Sequence, residues 1–138
     1  MRNNSKRAIG FLTVFVFSAL LASQNVFAYP AIGDVAGDYY YTDIVVIVNG
    51  AAIESINIGG MCLLCANDLA YHGFNVVWNE KARTLNISKG GEDFSGGTWT
   101  AKSGVVGARI GSYYYTDIVT YLDGKEITTY YTGEKIYI

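Results

Sequence analysis

Metal-binding side chains are scarce in this sequence of 138 residues, which has one histidine, His72, and two cysteines, Cys62 and Cys65. A structural zinc site usually takes four Cys or His ligands, so these three side chains are too few to form one. No Ser with His, Cys with His, or acid pair with a third orienting group is visible either. The sequence therefore predicts no metal site, no cofactor and no catalytic residues.

An excess of positive charge is also lacking. Ten Lys and Arg stand against 12 Asp and Glu, so the formal net charge is −2. Nucleic-acid binding usually requires a basic surface, so we expect no nucleic-acid partner. Proline occurs once, whereas tyrosine occurs 12 times and glycine 16 times. This composition favours β-sheets joined by tight turns.

A long apolar run occurs once, near the N-terminus. The first seven residues carry three positive charges, residues 8–23 are apolar, and Val26-Phe27-Ala28 has small residues at both cleavage positions. This pattern predicts a secretory signal peptide over residues 1–28 and a secreted mature chain. An uncleaved anchor stays open as an alternative, although a spanning helix usually needs ~20 apolar residues. No second run follows, so we expect no membrane association after cleavage.

One stretch of the chain occurs twice. The sequence YYYTDIVVIVNG at residues 39–50 returns as YYYTDIVTYLDG at residues 113–124. Each copy is an apolar, β-branched run that ends in Asn-Gly or Asp-Gly, the pairs that favour type I′ hairpin turns. The sequence therefore predicts two related units: unit one at residues 29–88, a Gly/Ser-rich connector at 89–110, and unit two at 111–138.

Unit one reads as an α+β arrangement with the order β-β-β-α-β-β, an antiparallel sheet with one short helix against it. Residues 29–38 are expected to be extended or loop-like. Asn67 is expected to cap the helix and Gly73 to end it. The predicted strands cover residues 39–48, 51–58, 61–66, 74–78 and 83–88.

Unit two follows unit one through the first hairpin and stops where unit one enters its third strand. It is therefore predicted to be an incomplete repeat, a β-hairpin without its helix. Its apolar residues would lack the helix that should cover them, and exposed edges of this kind recruit partners. Self-association through unit two is one expectation, and packing of unit two on unit one is an alternative that stays open. The residues concerned are Ile118, Val119, Tyr121 and Leu122.

Unit one resembles the copper amine oxidase N-terminal-like domain, a stalk module of secreted and surface proteins of Gram-positive bacteria. The resemblance is carried by these segments: Thr42-Asp43-Ile44, Asn49-Gly50, Gly59-Gly60, Asp68-Leu69, GFNVVW at residues 73–78 and RTLNI at 83–87. It implies about five antiparallel strands twisted around one helix, and a role without catalysis. A copper site would need several imidazoles, which this chain does not have.

Cys62 and Cys65 have the CxxC spacing of redox motifs and zinc half-sites. Residues three apart in a strand point to opposite faces and lie roughly 10 Å apart, beyond the reach of a disulfide unless the strand bends. Structural, packed thiols are therefore favoured. A local or intermolecular disulfide stays open because the chain is predicted to be secreted.

Three further polar residues have structural interpretations. His72 ends the predicted helix, where a protonated imidazole suits the negative end of the helix dipole. Asp43 and Asp117 occupy equivalent positions of the two copies. A carboxylate pair would interest a glycosidase hypothesis, but a shared structural role, holding amides at the entry to each strand, explains both.

The tyrosine clusters are the candidate binding residues. Strand residues alternate between faces, so at least one tyrosine of each cluster is expected to be exposed and to offer a ring and a hydroxyl to a sugar or another protein. Ordinary strand-forming aromatics are the alternative. The clusters are Tyr39, Tyr40 and Tyr41; Tyr113, Tyr114 and Tyr115; and the pair Tyr130-Tyr131.

The sequence thus predicts a secreted, non-enzymatic, stalk-like module with a structural or interaction role at the cell envelope. Its partner would be a cell-wall polymer or another envelope protein. Two alternatives remain: a carbohydrate- or peptidoglycan-binding module that uses the tyrosines, and a remnant of a truncated repeat protein.

Overall fold

The computed structural model describes residues 28–90, 99 and 104–138. The predicted signal peptide, apart from Ala28, and residues 91–98 and 100–103 of the predicted connector lie outside the described residues. The described residues form mostly β-sheet, as predicted, with one short 3-10 helix at Asn67–His72. The strands are β1 (Val35–Tyr40), β2 (Val46–Val48), β3 (Ala51–Ile53), β4 (Ser55–Ile58), β5 (Met61–Leu64), β6 (Phe74–Asn79), β7 (Thr84–Lys89), β8 (Arg109–Tyr114), β9 (Val119–Leu122), β10 (Lys125–Ile127), β11 (Tyr130–Tyr131) and β12 (Ile136–Tyr137).

The repeat is longer in the structure than in the sequence. Each residue of the first copy precedes its counterpart in the second copy by the same number of positions, as Tyr39 precedes Tyr113. We call this number the repeat spacing. This spacing places β1 to β5 on β8 to β12 in order. Unit two was predicted as one hairpin, and this prediction is wrong because unit two adds β8, β11 and β12. Residues 29–38 were predicted to be extended or loop-like, and their extended part is the start of β1 at Val35.

One sheet joins the two units. Its strand order is β12-β11-β8-β1-β4-β5, and all its pairs are antiparallel. Strands β1 and β8 meet at the centre. The outer strands also meet, because the amides of Leu64 and Ile138 donate to each other's carbonyls at 3.0 and 3.1 Å. The sheet is therefore closed on itself, with the equivalent strands β1 and β8 paired at one joint between the units and the equivalent strands β5 and β12 meeting at the other.

A second sheet also crosses between the units. Its order is β10-β9-β7-β6, and β7 of unit one runs parallel to β9 of unit two. Strands β2 and β3 pair only with each other within the described part of the chain. The strands of unit one, β1 to β7, are thus divided among three sheets and do not form the single sheet that the resemblance implies.

The predicted strand at residues 39–48 is broken between the two layers. Tyr40 ends β1 and Val46 begins β2, and Thr42 in between accepts a hydrogen bond from the Ile44 amide at its Oγ1 over 3.1 Å. The equivalent Ile118 amide donates to Thr116 Oγ1, also over 3.1 Å. The threonines therefore perform the structural role that was predicted for the neighbouring aspartates, Asp43 and Asp117.

The turns and the helix end follow their local signals. Asn49 and Gly50 have φ angles of 49° and 85°, and Asp123 and Gly124 have 48° and 79°, as a type I′ turn requires. Gly73, at φ 82°, ends the helix as predicted. These elements depend only on residues close in sequence, which is why the sequence predicts them.

The predicted helix cap is wrong. The helix begins after Ala66 without a side-chain cap. The Oδ1 of Asn67 instead accepts a hydrogen bond from the Ile136 amide of unit two, at 3.3 Å. His72 is buried, and its Nδ1 lies 3.1 Å from the Val48 carbonyl oxygen. The imidazole therefore fastens the β2–β3 hairpin to the helix, a contact that a simple helix-end role does not predict.

The two units share their main hydrophobic core. Its buried residues come from both units: Ile53, Ala66, Leu69, Leu85 and Ile87 from unit one, and Ile118 and Ile136 from unit two. Ile118 is only 7% exposed. The expectation that these residues lack cover is thus wrong, because β7 and the helix of unit one lie against them. Unit two packs on unit one, which was the alternative left open by the sequence.

A second cluster fills the closed sheet. Its buried members are Ile56, Ile58, Leu63, Cys65 and Tyr137, with Tyr39, Tyr113 and Tyr130 packed against them. Both clusters contain residues of both units, so neither unit has a core of its own among the described residues. At ~25 cal/mol per Å² of buried apolar surface, such shared burial is the main term that holds the units together.

Candidate functional site: two repeat-related pockets

The first tyrosine of each cluster is fixed by the joint between the units. In the β1–β8 pairing, Gly37 lies opposite Tyr113 and Tyr39 opposite Gly111. A Cβ atom on Gly37 would lie 2.7 Å from the Tyr113 ring, and one on Gly111 would lie 2.9 Å from the Tyr39 ring. Each ring thus covers the glycine of the other unit, so these two tyrosines primarily serve packing.

The other tyrosines differ between the clusters. Tyr40 is exposed in the first cluster and Tyr115 in the second, which fits the expectation of one exposed ring in each. Tyr41 instead packs against Gly104, where an added Cβ would lie 3.0 Å from the ring. Tyr130 makes an edge-to-face contact with Tyr113, with ring centroids 5.5 Å apart.

Each of the first two clusters lines a pocket. The unit-one pocket is lined by Tyr39, Tyr41, Thr42, Glu54, Ser55, Ile56, Trp99, Ile110 and Tyr137. The unit-two pocket is lined by Ala36, residues 113–116, Ile118, Val119 and residues 126–130. At the repeat spacing, Tyr39, Thr42 and Ser55 correspond to Tyr113, Thr116 and Thr129. The two pockets therefore occupy equivalent places in the repeat.

The pockets differ in size. The unit-one pocket holds about 90 Å³ and the unit-two pocket about 280 Å³. Small-molecule sites start near ~300 Å³. Of these two pockets, the one in unit two approaches that size.

Glu54 lines the unit-one pocket and is bonded there to residues of unit two. Its Oε1 accepts a hydrogen bond from the Tyr137 hydroxyl over 2.6 Å, and its Oε2 forms an ion pair with Lys135. Burial, followed by the hydrogen bond to Glu54, raises the pKa of Tyr137. Partial burial lowers the pKa of Lys135, but contact with the Glu54 carboxylate outweighs it and the net pKa is raised. Glu54 thus joins strands from both units.

The lining of the unit-two pocket contains no counterpart of Glu54. Thr128 stands where unit one has Glu54. The lining combines tyrosine rings, threonine side chains and the carboxylate of Glu126, an exposed residue. Thr129 Oγ1 donates to the buried Thr120 Oγ1 over 2.9 Å, which ties the pocket floor to β9. This mixture of rings and polar groups suits a ligand with both apolar and hydroxyl surfaces.

The two cysteines lie apart from both reactive and metal-binding arrangements. Both are free thiols; Cys65 is buried and Cys62 is half-buried. Burial raises the pKa of the Cys65 thiol from its ordinary value of 9.0 to about 11. A protonated thiol is a poorer nucleophile than a thiolate. Cys65 therefore has a packing role where β5 and β12 meet in the closed sheet.

The described residues contain neither a metal-binding cluster nor a membrane-spanning helix. In that part of the chain, no group of three or more His, Cys, Asp or Glu side chains is placed to hold a metal ion. None of the helices described there combines the length and apolarity needed to cross a membrane.

Sequence reasoning missed Glu54, Lys135 and Tyr137 as a cluster. One signal was present, because Glu54 alternates with Ile56 and Ile58 and so shares a strand face with two aliphatic residues. A lone acid in that phase indicates an internal partner. The partners lie far along the chain, in strands that pairing between the units brings near.

Comparisons with family models, with curated proteins and with solved structures gave no match.

Proposed function

We propose that this chain is a non-catalytic binding module of the cell envelope that holds a carbohydrate in its unit-two pocket. The observation that carries the proposal is the difference between the equivalent pockets. Glu54 and Tyr137, bonded to each other, line the smaller pocket of about 90 Å³, whereas the other holds about 280 Å³ and is lined by tyrosine and threonine side chains. A pocket that the repeat provides twice, but the chain narrows once, is available for a ligand in its wider copy.

The ligand class follows from the lining. A sugar ring presents C–H groups to aromatic faces and hydroxyls to polar side chains, and the unit-two pocket offers both kinds of partner. Glu126 adds a carboxylate that accepts hydrogen bonds from hydroxyl groups. The exposed ring of Tyr115, 43% accessible, is the natural first contact.

The location rests on sequence. The charged, apolar and small-residue segments of residues 1–28 support export. Membership of the copper amine oxidase N-terminal-like family, which the motifs of unit one suggest, supports a place at the surface of a Gram-positive cell. The partner would then be a wall polymer.

A structural, stalk-like role is the second candidate. It is favoured by the closed sheet, in which strands from both units share one hydrogen-bonded layer. Such a layer suits a rigid spacer. Because β11 and β12 complete this sheet, a folded module is better supported than the remnant of a truncated repeat protein.

Co-sedimentation with purified cell walls tests the binding proposal. The chain from Tyr29 to Ile138 is expected to pellet saturably, and the double variant Tyr115→Ser, Glu126→Gln to bind at least tenfold more weakly. Tyr71→Ser removes an exposed ring on the helix, outside the unit-one and unit-two pockets and the tyrosine clusters, and is the matched control. Equal binding by all three chains, or no pelleting of the unaltered chain, would overturn the proposal.

A further inference from the structure

The outer edge of β9 shows how this fold binds an additional strand. Strand β7 runs parallel to it, with Thr84 beside Val119 and Ile87 beside Leu122. The amide of Val119 donates to the Arg83 carbonyl over 3.1 Å, and the amide of Asp123 to the Ile87 carbonyl over 2.8 Å. Three alternate residues of this edge, 119, 121 and 123, therefore face β7 with their backbone amides.

The equivalent edge in unit one belongs to β2. At the repeat spacing, Val45, Ile47 and Asn49 correspond to positions 119, 121 and 123. Strand β2 pairs with β3 just as β9 pairs with β10, with Val46 opposite Ile53 and Thr120 opposite Ile127. The amides of Val45 and Ile47 thus point away from β3. In the described part of the chain, no strand lies on that side of β2.

Exposure shows the effect of the missing strand. Ile44 is 52% exposed, whereas its equivalent Ile118 is 7% exposed. Val45 and Ile47 are 48% and 58% exposed. Charged residues and proline commonly protect a sheet edge from pairing with another strand. The segment from Ile44 to Asn49 contains neither. This edge is therefore chemically ready to accept a strand.

We propose that the outer edge of β2 binds an extended strand of a partner protein, in the parallel orientation and register with which β7 binds β9. Such β-strand addition takes its affinity from main-chain hydrogen bonds and its specificity from alternate side chains. By equivalence with Leu85 and Ile87, the partner strand places aliphatic residues beside Val46 and Val48, which pack against the shared core.

A second copy of this chain is a poorer occupant. The strand with the required pattern, β7, is held between β6 and β9. It could reach another copy only if the second sheet opened. A strand from a different protein needs no such opening, because no strand in the described part of the chain covers this edge of β2.

A synthetic peptide with the β7 sequence, residues 83–89, is the probe. We expect it to shift the backbone amide resonances of residues 45–49 in a saturable way, at up to millimolar peptide. A peptide of the same composition, with the leucine and isoleucine each moved by one position, should bind at least fivefold more weakly, because its aliphatic side chains face away from the core.

The variant Ile47→Pro removes one outward amide and leaves the pairing with β3 intact, since proline is tolerated at an edge. It should weaken peptide binding at least tenfold, whereas the control Ile47→Thr keeps the amide and should change binding less than threefold. A far-ultraviolet spectrum checks that both variants fold. Peptide binding without shifts at residues 45–49, equal binding by Ile47→Pro, or a chain dimer that Ile47→Pro dissociates would each overturn the proposal.

Discussion

The two units contain equivalent hairpins, each entered through the same seven residues, in opposite surroundings. In unit two the hairpin β9–β10 is one half of a four-stranded sheet, and Ile118 beside it is buried. In unit one the hairpin β2–β3 stands alone among the described strands, and Ile44 beside it is half exposed. The sequence around each isoleucine, YYYTDIV, is identical, so the difference arises from the neighbours and not from the hairpin.

The neighbour responsible is the segment from Asn67 to Lys89. It follows β5 in unit one, but its strand β7 pairs with β9 of unit two. Unit one therefore supplies the helix and the hairpin that unit two was expected to lack. A repeat that appears incomplete along the chain can be complete in space, because the missing elements come from the other copy.

The largest expected effect is on the two equivalent isoleucines. Ile118→Ala should lower the free energy of unfolding by about 2–5 kcal/mol, since it leaves a cavity in the shared core. Ile44→Ala should change it by less than about 0.5 kcal/mol, because that side chain is largely in solvent. Denaturant unfolding of both variants measures this. Similar losses would mean that the hairpins have similar surroundings.

Glu54 and Thr128 give the next contrast. Glu54→Ala leaves the Tyr137 hydroxyl without this acceptor and Lys135 without its ion pair, and should cost about 2–3 kcal/mol, discounted for the partial exposure of Lys135. Thr128→Ala, at the equivalent and exposed position, should cost under about 0.5 kcal/mol. Glu54→Gln keeps an acceptor for Tyr137 and should lie between them. Thermal unfolding that ranks the three variants otherwise would contradict the role of Glu54.

The free energy of unfolding should fall at high pH because of Cys65, which is buried where the two units meet. The pKa of Cys65 is about 11 in the folded chain and 9.0 as its ordinary value. A raised folded pKa leaves stability intact below pH 9 and lowers it as pH rises through 11, by about 2 kcal/mol at pH 11. The difference in stability between the reduced wild type and Cys65→Ala should shrink by this amount from pH 8 to pH 11. A constant difference would place Cys65 in contact with solvent.

The smallest contrast concerns the repeated aspartates. Asp117 accepts from Arg83 Nε at 2.7 Å in an exposed ion pair, so Asp117→Asn should cost at most about 1 kcal/mol, and less at high salt. For Asp43, no ion pair is found among the described residues, and Asp43→Asn should be neutral. A salt titration of both variants separates them. A larger loss for Asp43→Asn would point to a contact that the repeat does not explain.

The sequence predicted what local chemistry decides. The two positive-φ turns and the end of the helix at Gly73 follow from Asn-Gly, Asp-Gly and the special freedom of glycine. The break between β1 and β2 could not be read in the same way, because Thr42 stands in a run with strong strand propensity. Only the hydrogen bond from the Ile44 amide to Thr42 marks the turn from one layer to the other.

Pairing between strands distant in sequence was out of reach of local patterns. Gly37 and Gly111 carried a signal, since a glycine two residues before a repeated tyrosine leaves room for a ring on the neighbouring strand. That signal predicts a contact only if the neighbouring strand is known. Here the neighbouring strand is the equivalent strand of the other unit. The candidate pockets were predicted only as far as the tyrosine clusters, because Glu54 and Tyr137 meet through tertiary contacts.

Native-state hydrogen exchange tests the central claim, that the two units form one cooperative structure around a shared core. The most protected amides of β4 to β7 and of β8 to β12 should open with the same free energy, and Ile118→Ala should lower both values equally. If the amides of unit two exchange at a lower free energy, and Ile118→Ala changes only those, the units fold separately and the account of a shared core fails.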